Sequence, residues 1–151
     1  MANIEESIEG SQKLTEIFGY WPSFHDAKIL ELHFSRGDVD PDAGRYIFPL
    51  LQVRIHLWEL NCGGEEQAPI ATRHHTLATL RFADVDEFRM EGFNHQNAIL
   101  GLSITRQERQ SGPSPVFAVH FDPAFGMGAT FICGRVEVVD AVPCTSEGKL
   151  A

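Results

Sequence analysis

Apolar and polar residues alternate with period two along most of this chain, and that period predicts strands. "LQVRIHLWEL" is the clearest case: Leu51, Val53, Ile55 and Leu57 fall on one face, and Gln52, Arg54, His56 and Trp58 on the other. "AKILELHF" puts Leu30, Leu32 and Phe34 opposite Ile29, Glu31 and His33. "AILGLSI" offers Leu100, Leu102 and Ile104, and "VFAVHF" offers Phe117, Val119 and Phe121. "HTLATLRF" and "DEFRMEGF" follow less cleanly, and "ATFICGRVEVV" closes the series with Gly134 expected as a bulge between its halves. One segment breaks the habit. "SQKLTEIFG" has helical spacing, with Leu14, Ile17 and Phe18 on one face, Ser11 as the expected cap and Gly19 as the stop. The pattern predicts a mainly β fold: an antiparallel sheet of about seven strands, curled into a sandwich or half-barrel, with a short N-terminal helix.

Between the strands lie three segments rich in turn residues, "SRGDVDPDAGR", "NCGGEEQAPIATR" and "RQERQSGPSP", which read as exposed loops. "AFGMGATF" reads as a turn before the last strand rather than a phosphate-cradling loop, since no lysine follows its glycines. The 151 residues suit one domain, with a core of about 11–144 and flexible tails at 1–10 and 145–151.

Charge narrows the function classes. A formal net charge of -9 disfavours nucleic-acid phosphates and suits a basic protein partner. No apolar run approaches the roughly 20 residues that span a bilayer. The three cysteines, Cys62, Cys133 and Cys144, lack metal-site spacing and read as free thiols of a cytoplasmic protein. Cys133 alternates with Phe131 and belongs in the core, whereas Cys62 falls in a glycine-flanked loop with no histidine tied to it.

Two stretches invite a chemical reading. In "FGYWPSFHD", His25 and Asp26 form the adjacent pair that metal-dependent phosphohydrolases use, which makes a small metal-dependent hydrolase or metal-binding protein the alternative function. Further ligands would have to converge at about 2 Å, and a regular strand points His74 and His75 to opposite faces. Glu31 and His33, and Arg54 and His56 on the next strand, read as a solvated polar face rather than a metal site, where Glu31 and Arg54 can make a cross-strand ion pair if their strands are neighbours. The architectural reading is preferred. Trp21 and Phe24 anchor the helix on the sheet, and Asp26 accepts backbone N–H bonds where helix passes to strand. In "EGFNHQNAIL", Asn94, His95, Gln96 and Asn97 crowd polar side chains into one connection, where amides satisfy an irregular turn. No catalytic residue, metal or cofactor is expected. The eleven phenylalanines also allow a β domain with an apolar ligand pocket.

These same stretches carry a resemblance. "FGYWPSFHDAKILEL", "VRIHLWEL", "HHTLATLRFADVDEFRMEGFNHQNAILGLSI", "VFAVHF" and "ATFICGRVEVVDAVPC", in that order from about Ile17 to Cys144, resemble the immunity protein 50 family of bacterial polymorphic-toxin systems. The resemblance implies a cytoplasmic protein that protects its own cell by binding a toxin domain, not by turnover, and it supplies no catalytic residues. An acidic inhibitor suits the basic cleft of a nuclease toxin. Three surfaces are candidates for that contact: Trp58 with Glu59, the acids Asp38, Asp40 and Asp42, and the loop acids Glu65 and Glu66. Neither nucleic acid nor membrane is an expected partner.

Overall fold

The computed structural model describes residues 3–61, 71–108 and 116–151, and ten strands lie among them. A turn of 3-10 helix (Ile4–Ser7) and helix α1 (Gln12–Phe18) come first. The strands are β1 (Lys28–Ser35), β2 (Asp38–Asp40), β3 (Arg45–Ile47), β4 (Leu50–Asn61), β5 (Ala71–Ala83), β6 (Asp86–Glu91), β7 (Ala98–Gln107), β8 (Val116–Phe125), β9 (Gly128–Cys133) and β10 (Arg135–Pro143). Eight of them form one antiparallel sheet in the order β10-β5-β4-β1-β7-β8-β9-β6, and β2 and β3 form a separate ribbon. The sheet is not closed into a barrel. The expected mainly β class therefore holds, with eight strands in the sheet where about seven were read.

The sheet folds across a narrow neck. β1 and β7 share one registered pair, Lys28 with Ala98, flanked by bonds from Ile29 N–H to Asn97 O and from Ile99 N–H to Ala27 O, both 3.0 Å. On either side stands a four-stranded half, β10-β5-β4-β1 and β7-β8-β9-β6. The halves meet through rings. Phe82 of β5 lies 5.0 Å from Phe131 of β9 and 6.1 Å from Phe121 of β8, both edge-on, and Phe34 of β1 lies 4.5 Å from Phe88 of β6. Leu51, Val53, Ile55 and Leu57 of β4 all point into this core, as their alternation predicts.

Two strands depart from the predicted faces for one reason. Ile29 and Ile99 are fully buried, whereas Leu30 and Leu100 are 41% and 47% exposed. Each leucine is an extra residue at a register shift, between Ile29 and Glu31 on β1 and between Ile99 and Gly101 on β7. A bulge inserts one residue and so exchanges the two faces of a strand. Alternation read straight through the bulge therefore sends the wrong side chain inward. Glu31 does stand opposite Arg54, but no ion pair joins them among the described residues.

Gly134 is not a bulge. The chain leaves β9 and enters β10 across it, passing from one half-sheet to the other, and its N–H donates to Ala83 O at 2.9 Å. The second half is thus one continuous stretch, β6 to β9, and the first half closes only when β10 returns to β5.

Helix α1 buries Leu14 and Phe18 and stops at Gly19, which is left-handed and donates to Thr15 O at 2.8 Å. Ser11 does not cap it. Its backbone is already helical, so its hydroxyl is not aimed at the first free amides. Before the helix, Glu9 pairs with β10, accepting from Val138 N–H and donating to Val136 O, which covers part of that sheet edge. After β10, Cys144 and Leu150 bridge around a turn held by Thr145 N–H to Lys149 O. No helix among the described residues is long and apolar enough to cross a membrane.

Candidate functional sites

The two unusual stretches of the sequence meet at the neck. Asn97 is buried, and its amide serves three segments at once. Nδ2 donates to Ile29 O at 3.2 Å, while Oδ1 accepts from Asn94 N–H at 2.8 Å and from Met127 N–H at 3.2 Å. Asn94 in turn accepts from the Gln96 and Asn97 amides, closing the tight connection. Gly126 lies under both amides. A Cβ there would stand 2.4 Å from Asn94 Oδ1, and its φ of +98° belongs to glycine. His95 is exposed.

"WPSFHD" forms the facing wall. Phe24 is buried at φ +63°, edge-on to Trp21 at 5.7 Å, and Trp21 is half-buried against the core. Asp26 N–H donates to Ile99 O at 2.9 Å, and Ala27 N–H to Phe24 O at 3.0 Å. The side chains of His25 and Asp26 point outward. They are 57% and 49% exposed and meet each other, Nδ1 to Oδ2, at 3.1 Å. The backbone bonds expected of the Asp26 carboxylate are not among the described contacts, because the turn places that carboxylate in solvent. What ties Asp26 to this place is its backbone, at φ +67°. Asp26→Ala is therefore expected to cost only about 1 kcal/mol, and Asp26→Gly to be neutral or stabilising. Urea denaturation of both variants checks this. A larger loss shared by both would mean that the carboxylate itself matters.

A second cluster sits where β4 and β5 end. The register shifts between Leu57 and Glu59, so that His74 and His75 together oppose Trp58, and His74 takes φ +58°. This strand is thus irregular where alternation alone predicts a regular one, and the two imidazoles go to different partners. His74 lies edge-on to Phe18 at 5.9 Å, with Nε2 3.8 Å from Glu59 Oε2. His75 stacks on Trp58 at 5.6 Å, meets Thr72 Oγ1 at 2.8 Å through Nε2, and meets His56 Nε2 at 3.0 Å through Nδ1. Trp58 is half-buried in this stack. Glu59 is held from within. Tyr20 Oη donates to Oε1 at 2.7 Å and Arg73 Nε to Oε2 at 3.2 Å. The Tyr20 hydroxyl first, then Arg73, holds the Glu59 carboxyl below its ordinary value, and the same bond raises the Tyr20 phenol.

His56 is only 3% exposed. The C-terminal turn lies on its ring, so that a Cβ at Gly148 would fall 2.9 Å from His56 Nδ1. Burial, then the charges of His75 and Lys28, lower the His56 imidazole to about 4. Burial also lowers His75. The unfolded chain takes up a proton on His56 near pH 6.5, whereas the folded chain resists until about 4. Stability attributable to neutral His56 is therefore complete above pH 6.5 and declines as the pH falls toward about 4, by up to about 3 kcal/mol. Urea midpoints of wild type and His56→Gln, compared from pH 7 to pH 4, should converge as the pH falls. Parallel curves would show that His56 does not titrate against folding.

The acidic loop is a ribbon. β2 and β3 pair Asp38 with Ile47, Val39 with Tyr46 and Asp40 with Arg45. One face carries Asp38, Asp40, Arg45 and Ile47, and the other carries Val39 and Tyr46. Arg45 bonds both acids, Nε to Asp38 at 2.8 Å and a terminal nitrogen to Asp40 at 3.4 Å. Asp42 is exposed in the connecting turn. Val39, Tyr46, Ile47 and the following Phe48 are all exposed, Tyr46 to 59%. Sequence reasoning named the acids and missed these four apolar side chains. D-V-D and R-Y-I flanking P-D-A-G is a hairpin signal that the density of turn residues hid. Glu65, Glu66 and Cys62 lie outside the described residues. Cys133 is buried, and desolvation pushes its thiol up to about 12, so it is inert.

Among the described residues, no three His, Cys, Asp or Glu side chains converge to hold a metal ion. Comparison with curated proteins and with solved structures found no match. The family model described as Immunity protein 50 matches residues 10–143, from the segment leading into α1 to the last strand, including both stretches that meet at the neck. The chain belongs to the immunity protein 50 family.

Proposed function

We propose that this chain neutralises a cognate bacterial toxin domain in the cytoplasm by forming a stoichiometric complex with it, without turnover. Family membership over nearly the whole domain carries the reading, since an immunity protein acts on a toxin made by its own system. The charge supports it. At -9, the chain is drawn to a basic surface and repelled by nucleic acid, so a nuclease with a basic substrate cleft is the toxin class that fits best. The backbone of Asp26 serves the neck while the exposed His25 and Asp26 side chains meet each other, which supports an architectural role for this pair.

The test is co-expression with the toxin domain encoded next to this gene, scored by growth and followed by co-purification. Restored growth with a 1:1 complex is the expected result. Restored growth without a complex, or toxin recovered chemically altered, would replace inhibition by binding with turnover.

A further inference from the structure

We infer that the β2–β3 ribbon and the groove at its base receive the toxin, with Tyr46 as the central apolar anchor. This deepens the reading of the chain as a stoichiometric inhibitor and rests on it. A two-stranded ribbon on its own is marginal in water, and this one keeps neither face against the core. It nevertheless presents Val39 and Tyr46 to solvent side by side on one face, with exposed Phe48 following directly after the strand and Ile47 on the opposite face. Apolar surface gathered in this way marks a contact, and a tyrosine in its middle is a frequent energetic centre of such contacts.

The patch continues inward. Phe48 also lines a cavity of about 480 Å³ together with Pro49, Val116 and Ile132, and Asp84 and Asp86 share its wall. On the ribbon itself, Asp38 and Asp40 are paired with Arg45 on the far face, and Asp42 stands exposed in the turn between the strands. The apolar face of Val39 and Tyr46, with Asp42 at the ribbon's turn and Asp84 and Asp86 at its base, suits one occupant, a basic cleft or basic loop of the toxin domain with an apolar floor for Tyr46. Arg45 offsets the charge of Asp38 and Asp40 from the neighbouring strand, so the turn's Asp42 is the ribbon's carboxylate outside those ion pairs.

Isothermal titration against the toxin domain encoded beside the gene, inactivated by substitution at its catalytic centre, tests this. Tyr46→Ala should weaken binding by about 100-fold with an unchanged circular dichroism spectrum, because the ring is mostly exposed and supports no core. The double variant Asp42→Asn, Asp84→Asn should slow association and flatten its dependence on salt. If wild type binds and Tyr46→Ala binds as tightly, the ribbon is not the docking surface and the functional reading stands without it. A wild-type dimer that Tyr46→Ala dissociates, with toxin affinity unchanged, would assign the surface to a second copy of this chain and overturn the inference. Failure of wild type both to bind and to protect would overturn the functional reading and the inference together.

Discussion

Replacing Asn97 with alanine should lower the unfolding free energy by about 3–5 kcal/mol. The change leaves Ile29 O, Asn94 N–H and Met127 N–H without the partner that joins them, at a position closed to water. Each buried group left unpaired costs about 1–3 kcal/mol, and the alanine must also hold φ at +43°. Two companion variants separate these causes. Asn97→Gly relieves the backbone but restores no bond, so it should recover only a small part of the loss. Asn97→Asp keeps an acceptor for the two amides but sets a carboxylate against Ile29 O, and should be at least as damaging as alanine. Urea denaturation reads all three. A loss under about 1 kcal/mol for alanine would show that the neck is held by its backbone ladder alone.

Phe82→Ala should cost a comparable amount, about 3–5 kcal/mol, for a different reason. Phe82 is fully buried, and its ring touches Phe121 and Phe131 from the opposite half-sheet. Removing it opens a cavity between two rigid layers that cannot collapse independently, since both are tied at the neck and at Gly134. Phe82→Leu refills most of the volume and should lose less than half as much. Thermal unfolding followed by near-UV circular dichroism measures both the stability and the loss of ring order. If Phe82→Ala melts with wild type, the interior is plastic and the ring contacts do not hold the halves together.

How much of this was legible in the sequence depended on distance along the chain. Leu51 to Leu57 read correctly because the face is set by neighbours two residues away and β4 is regular there. Leu30 and Leu100 read wrongly because a bulge is decided by the partner strand, which local alternation does not contain. The crowded amides at Asn94 to Asn97 signalled an irregular connection, but their partners are remote. Asn97 bonds Ile29, 68 positions away, and Met127, 30 positions away. The burial of His56 was invisible for the same reason, since its cover comes from Gly148 at the other end of the chain. For the candidate contact surface, the acids were named from composition. The exposed rings beside them were missed because Tyr46 and Phe48 border a stretch whose turn residues dominate any local reading.

The passage of the chain across Gly134 has a consequence for how the protein is made. Strands β6 to β9 are inserted between β5 and β10, so the excursion begins beside Ala83 and ends beside it, where Gly134 closes the circuit. Strand β5 can meet β4 as soon as both are synthesised, but its other edge stays open until the whole second half has emerged and β10 follows. During translation that bare edge, with Leu77, Leu80 and Phe82 beside it, is the surface most in need of shielding from other nascent chains. Delaying the arrival of the last strand should therefore prolong the exposure of that edge.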